Sequence, residues 1–277
     1  MSDDELKPES RKLSGQTPSV DLNCDVGESY GAYQIGNDAE VLRYVSSASI
    51  ACGFHAGDPG TMRRTVKLAA DRGVAIGAHP GLPDLVGFGR RAMEITPQQA
   101  HDLVIYQIGA LHAFVIAQGA KLRHVKPHGA LYTMAAGDAA LAKAIADAVR
   151  RVNPRLILVG QSGSELVAAG RALGLPTASE VFADRTYGVD GALLPRRQQG
   201  SLVTDANVAA ERAVTMARDG KVLSIEGTQI SVEVDTICIH GDGPCAVEFA
   251  KGIRERLAAA GIEVRALRDR KSPDDTA

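Results

Sequence analysis

Short β-rich runs alternate with stretches of helical period along nearly the whole chain. VDLNCD (20–25), ASIAC (48–52), VAIGAH (74–79), RHVKPH (123–128), RLILVG (155–160), TASEVFA (177–183), TICIH (236–240) and IEVRAL (262–267) read as strands. Helix starts carry their own chemistry: Asp58 before Pro59, Thr96 before Pro97 with Gln99 three residues on, and Ser162 with Glu165 as a capping box. The segment KVLSIEGTQISVEV (221–234) is the one irregularity and reads as a hairpin.

Alternation of this kind implies a parallel sheet, either open and doubly wound or closed on itself. No GxGxxG follows a strand and no GxxxxGK[ST] phosphate loop is present, which argues against a nucleotide fold. The expected fold class is therefore α/β, a single parallel (β/α) barrel of seven or eight units over 20–267. Polar stretches at 1–19 and 268–277 read as flexible tails.

Residues two apart on a strand share a face, so the polar positions can be sorted. Asp21, Asn23 and Asp25 fall on one side of the first run and Val20, Leu22 and Cys24 on the other. His124, Lys126 and His128 share a face, as do Glu180 and Asp184, and as do Cys238, His240 and Asp242. An unpaired polar group in a dry core costs about 1–3 kcal/mol, so these rows make sense where strand ends open into a cleft. Parallel α/β folds bind ligands at that rim. His55, His79, His128 and His240 end four different runs, each closely followed by glycine, and they converge if the sheet curls round.

Plainer readings hold for other positions. Asp58 reads as an N-cap, His101 and His112 as structural or surface residues of a helix over 97–118, and His124 equally as a satisfied core histidine. GQSGSEL (160–166) fits either an anion cradle or a simple cap. The loop DRTYGVDGALLPRRQQGS (184–201) brings Arg185, Arg196 and Arg197 to the rim, where Arg185 could clamp a carboxylate or phosphate. GFGRR (87–91) offers a second arginine pair.

Composition narrows the partners. In 277 residues, 31 Lys+Arg face 33 Asp+Glu, a net charge of −2, which gives no bulk attraction to nucleic acid or anionic membrane. A small neutral or anionic ligand is the expectation. No apolar run approaches bilayer length and residues 1–19 lack the apolar centre of a secretion signal, so a soluble, cytoplasmic protein is expected. Cys24, Cys52, Cys238 and Cys245 lack CxxC spacing and read as reduced core residues.

The runs VDLNCDVGE, SIACGFHAGDPGTM, VAIGAHPG, GFGRR, YQIGAL, RHVKPHGALY, LVGQSGSEL, EVFADRTYGVDGALLPR and CIHGDG together resemble the LamB/YcsF family, which contains the A subunit of bacterial 5-oxoprolinase. The match runs in order from about residue 20 to about 265. Cys24 stands where family members often have alanine, and both tails are extra. The resemblance implies a barrel of the glycoside hydrolase/deacetylase type. It also implies ATP-dependent opening of the lactam 5-oxo-L-proline to L-glutamate, with ATP as cosubstrate used together with two partner subunits, PxpB and PxpC.

In that scheme Asp25 or His128 is the general base, and His55 and His240 relay protons or hold the oxyanion. Lys126 and Arg185 neutralise substrate charge, and Asp21, Asn23, His79, Glu180, Asp184 and Asp242 complete the substrate site. Two alternatives stay open. One is a metal-dependent amide hydrolase or deacetylase, with a divalent metal on ligands drawn from Asp25, His55, His79, His128, His240 and Asp242, although HxxxH and HExxH spacings are absent. The other is a non-catalytic subunit that binds a small carboxylate.

Overall fold

The computed structural model describes residues 17–243 and 245–267; most of the stretch 1–19 and all of 268–277 lie outside the described residues. The strands are β1 (Ser19–Val26), β2 (Ser47–Ala51), β3 (Ala75–His79), β4 (Leu122–Val125), β5 (Ile157–Gln161) and β6 (Thr177–Phe182), followed by β7 (Lys221–Leu223), β8 (Gln229–Ser231), β9 (Thr236–His240) and β10 (Glu263–Val264). The helices are α1 (Asp38–Val41), α2 (Pro59–Asp71), α3 (Pro97–Ala117), α4 (Gly129–Gly137), α5 (Ala139–Val152), α6 (Glu165–Ala172), α7 (Ala206–Asp219) and α8 (Ala246–Ala259).

Among the described residues, seven parallel strands close a barrel in the order β1-β2-β3-β4-β5-β6-β9, with β9 pairing back onto β1 through Leu22↔Ile237 and Asp25↔His240. The eighth run shrinks to β10, which pairs with the start of β1 at Ser19↔Glu263 and stays outside the ring. β7 and β8 form the expected antiparallel hairpin between α7 and β9.

Alternation along the strands explains the closure. Leu22, Ile50, Val125, Leu158, Val181 and Ile237 are fully buried in one apolar cluster with helix residues such as Val66, Ile108, Ile145 and Ile253. Each such side chain taken from water contributes roughly 1.5–3 kcal/mol. The alternate positions turn inward and are largely polar on β1, β2 and β9, with two small separate apolar clusters, Ile157–Val159–Ala178 and Tyr132–Phe182–Cys238, beside them.

Three sequence expectations need correction. α3 runs for 21 residues and holds an 18-residue stretch of mean hydropathy 1.4, so among the described residues one helix is long and apolar enough to cross a membrane by length and composition. Here its stripe Val104, Ile108, Leu111 and Val115 is buried in the apolar cluster, where the helix packs on α5 and β3. Ser162 does not cap α6: Ser164 does, accepting from the Val167 amide at 3.4 Å, while the Ser162 hydroxyl accepts from Glu233 N. Cys24, Cys52 and Cys238 are buried free thiols, but Cys245 is exposed.

Two other caps form as expected. Thr96 and Gln99 make a reciprocal capping box on α3. Asp58 caps α2 by accepting from Gly60 N at 2.8 Å and Thr61 N at 3.0 Å, and it also accepts from Gly31 N at 2.9 Å. Those amides hold its carboxyl down at about 2 against an ordinary 3.8. Its stabilisation is therefore complete above about pH 4 and is lost as pH falls through about 2. Asp58→Ala is expected to lower stability by about 1 kcal/mol near neutral pH, by less at pH 2, as read from urea unfolding at both pH values.

Candidate active site

The interior of the barrel is assembled from strands distant in sequence. At its base, Asp21 accepts from Ser46 Oγ at 2.7 Å, Ser47 Oγ at 2.6 Å and Thr236 Oγ1 at 2.6 Å, so both its oxygens are engaged within the barrel. One layer up, Asn23 donates to Glu180 Oε1 and Thr236 Oγ1. Lys126, carried past the end of β4, points its Nζ at Asp25 Oδ1 (2.6 Å), Asn23 Oδ1 (2.8 Å), Glu180 Oε1 (3.0 Å) and Cys238 Sγ (3.3 Å). Tyr132, one turn into α4, donates to Glu180 Oε2 at 2.8 Å. Burial alone would push the Lys126 ammonium down, but Asp25, Cys238 and Glu180 carry it well above its ordinary value. Burial likewise opposes the Asp25 charge, and His79 and Lys126 overcome it, holding that carboxyl well below the usual range.

His124 is a core residue. Its Nε2 lies 3.3 Å from Ser49 Oγ, and burial lowers its pKa to about 3. A Cβ on Gly77 would lie 2.1 Å from that nitrogen, so glycine is required where the β3–β4 register shifts.

A second cluster lies beside Asp25. His79 directs Nδ1 to the Lys126 carbonyl at 2.7 Å, leaving Nε2 facing Asp25 Oδ2 (3.3 Å) and His128 Nδ1 (3.0 Å). His128 donates from Nε2 to the Phe88 carbonyl at 2.8 Å, and Phe88 holds a left-handed φ of 56° that non-glycine residues seldom adopt. His55 stacks on His128 with ring centroids 3.7 Å apart and contacts Glu28 Oε1 through Nε2 at 3.3 Å. Burial pushes the His55 and His128 rings well below their ordinary pKa and pushes the Glu28 carboxyl well above its own.

At the opposite wall, His240 Nδ1 meets Asp184 Oδ2 at 2.7 Å, which fixes the ring and leaves Nε2 as the free nitrogen. Burial would raise the Asp184 carboxyl, yet His240, Arg196 and Arg185 lower it overall. Arg90 pairs with Asp242 at 2.7 Å across the rim.

Between these walls lies a cavity of about 750 Å³ at the C-terminal mouth of the barrel. Asp25, His79, Lys126, His128, Glu180, Arg185 and His240 line it, whereas Asp21, Asn23, His55, Asp184 and Asp242 stand behind the lining and act through partners. The long loop after β6 supplies Arg185 and Arg196, whose pKa values are lowered by burial and by neighbouring guanidinium groups, to about 10 for Arg185. Arg185 Nε is buried without a hydrogen-bond partner.

These contacts change several roles expected from sequence. Lys126 gives its three N–H groups to Asn23, Glu180 and Cys238 and ion-pairs with Asp25, so it has no N–H left to clamp a substrate. His128 turns Nε2 onto a backbone carbonyl and Nδ1 inward, so it is poorly disposed as a base toward the cavity. His240, backed by Asp184, has the geometry of an oriented base. Sequence reasoning did not single out Glu28 or Tyr132, although both lie inside the quoted runs VDLNCDVGE and RHVKPHGALY.

Residues 20–272 match the family model for LamB/YcsF. A protein of Bacillus licheniformis, named as the A subunit of 5-oxoprolinase, is 61% identical over 248 residues, covering 90% of this chain and 98% of that one. The chain belongs to the LamB/YcsF family. A crystal structure of a lactam utilization protein from Thermus thermophilus superposes with a TM-score of 0.85 at 50% identity, covering 90% of this chain and all of the other. The LamB/YcsF barrel also resembles the catalytic domain of a peptidoglycan N-acetylglucosamine deacetylase from Eubacterium rectale. There the TM-score is 0.51 at 11% identity, covering 94% of this chain and 93% of the other, a likeness of fold alone.

Proposed function

We propose that this chain is the ring-opening component of an ATP-dependent 5-oxoprolinase, acting on 5-oxo-L-proline with partner subunits of the PxpB and PxpC type in the cytoplasm. The observation that carries the reading is the His240–Asp184 pair on one wall of a cavity whose rim presents Arg185 and Arg196. A small anionic lactam needs that combination, an oriented base beside guanidinium groups that take its carboxylate or a phosphoryl group. The name that relatives carry, the A subunit of a 5-oxoprolinase, supports both the substrate and the existence of partners.

The chemistry explains why ATP is required. A lactam carbonyl is a poor electrophile, and transfer of the terminal phosphoryl group of ATP to its oxygen creates an activated imidate. The lactam N–H proton is lost as the imidate and ADP form. Water then adds to the ring carbon as His240 Nε2 accepts one of its protons, and Asp184 stabilises the imidazolium. That proton and the proton of the new hydroxyl both pass to the ring nitrogen as the C–N bond breaks, leaving an amine and an acyl phosphate. A second water hydrolyses this to glutamate and phosphate. The Asp25–Lys126–Glu180 network fixes the floor on which the ring rests, and Arg185 and Arg196 hold the anionic groups.

Glutamate release by the purified chain, alone and reconstituted with PxpB- and PxpC-type subunits, tests this directly. The expected result is release only from the complex and only with ATP. Amide or ester hydrolysis by the chain alone without ATP would overturn the reading in favour of a deacetylase-like enzyme.

A further inference from the structure

The proposed ring opening leaves a group of buried side chains without a task. Glu28, His55, His79 and His128 come from four separate segments: the turn after β1, the loop after β2, the end of β3 and the β4–α4 junction. All four are buried, and the atoms Glu28 Oε1, His55 Nε2, His79 Nε2 and His128 Nδ1 lie within 4.8 Å of one another. We propose that these four side chains bind one first-row divalent transition-metal ion at the inner edge of the cavity. This does not depend on the lactam reading.

Four observations support it. Neighbouring donor atoms stand 3.0 Å (His79–His128), 3.3 Å (His55–Glu28) and 3.6 Å (His128–Glu28) apart. A tetrahedral ion with bonds of about 2.0–2.1 Å needs donors about 3.3–3.4 Å apart. His79 and His128 each offer one nitrogen to the cluster and give the other to a backbone carbonyl, of Lys126 and Phe88 respectively, which is how metal-binding imidazoles are commonly oriented.

The rings are also held in place by glycines. A Cβ on Gly81 would lie 2.6 Å from His55 Nδ1, and one on Gly89 would lie 2.7 Å from His55 Cβ and 2.9 Å from His128 Cδ2. Finally, Lys126 pairs with the buried carboxylates Asp25 and Glu180, whereas the equally buried Glu28 faces only the imidazoles of His55 and His128. A cation among these donor atoms would give that buried carboxylate the positive partner it otherwise lacks.

Three imidazoles with one carboxylate select zinc, cobalt or their neighbours over magnesium and calcium, which favour all-oxygen sites. A second group, Asp25, Cys238 and His240, also has ligand-type atoms within 4.8 Å, but the Lys126 ammonium already lies 2.6 Å from Asp25 and 3.3 Å from Cys238 and fills that position.

The test uses the full chain stripped with a chelator and titrated with Co²⁺ and Zn²⁺, followed by calorimetry, visible absorption and thermal unfolding. One equivalent should bind, with the intense visible bands of four-coordinate Co²⁺ and a raised melting temperature. Glu28→Gln, near-isosteric, and His55→Ala should each weaken binding by at least about 100-fold, the upper end of what losing an outer-shell partner alone costs. His101→Ala, half-buried on α3 beside Asp102 and Asp147, should leave it unchanged. X-ray absorption of the zinc-loaded wild type, which needs no variant to fold, should count three imidazoles. Substoichiometric binding by the wild type, unaltered affinity in Glu28→Gln, or binding abolished instead by His240→Ala would overturn the proposal.

Discussion

Lys126→Met is expected to lower the free energy of unfolding by about 3–5 kcal/mol, the cost of leaving a buried charge without its partner. The ammonium is the one buried cation in contact with Asp25 and Glu180 among the described residues, and Asn23 is held by the same contact. Methionine matches the stem in length and polarisability but restores none of that charge. Adding Glu180→Gln removes one stranded carboxylate, so the double variant should recover part of the loss. Urea unfolding of the two variants beside the wild type measures it. Equal stability of Lys126→Met and wild type would mean that the network is not a structural unit.

The second large effect concerns turnover. His240→Gln keeps a polar side chain near Asp184 but removes the basic nitrogen, and the rate of the reconstituted enzyme should fall by about 10²–10⁴-fold. Asp184→Asn should lower the rate as well, because the ring then loses the partner that selects its tautomer. Neither change removes a partner of the Lys126 ammonium, so both proteins should unfold close to the wild type. That separation between rate and stability distinguishes a catalytic dyad from a structural ion pair.

Much of this arrangement was legible in the sequence because strand alternation is a local rule. VDLNCD announces its buried and polar faces residue by residue, and both materialise in β1. The convergence of His55, His79, His128 and His240 followed from four strand ends and the closure of one sheet. What local rules could not supply was pairing. Lys126 looked like a substrate clamp because its partners Asn23 and Glu180 lie 103 and 54 residues away.

His240 reads as a relay from sequence because its partner Asp184 lies 56 residues earlier, on another strand's end, and alternation along one strand does not pair them. Glu28 follows a glycine that turns the chain at φ 69°, beyond the strand, so face-sorting does not reach it. The mistaken cap at Ser162 has a similar origin: the short turn places Ser164 at the helix start and sends Ser162 to the segment before β9.

The direct measurement of the central claim is the rate of ATP-dependent glutamate release by the reconstituted complex carrying His240→Gln, with assembly checked by size-exclusion chromatography. A correctly assembled complex that works at least about 100-fold more slowly than wild type is the predicted result. A correctly assembled complex that works within a few-fold of wild type would contradict the assignment of this barrel mouth as the place where the ring is opened.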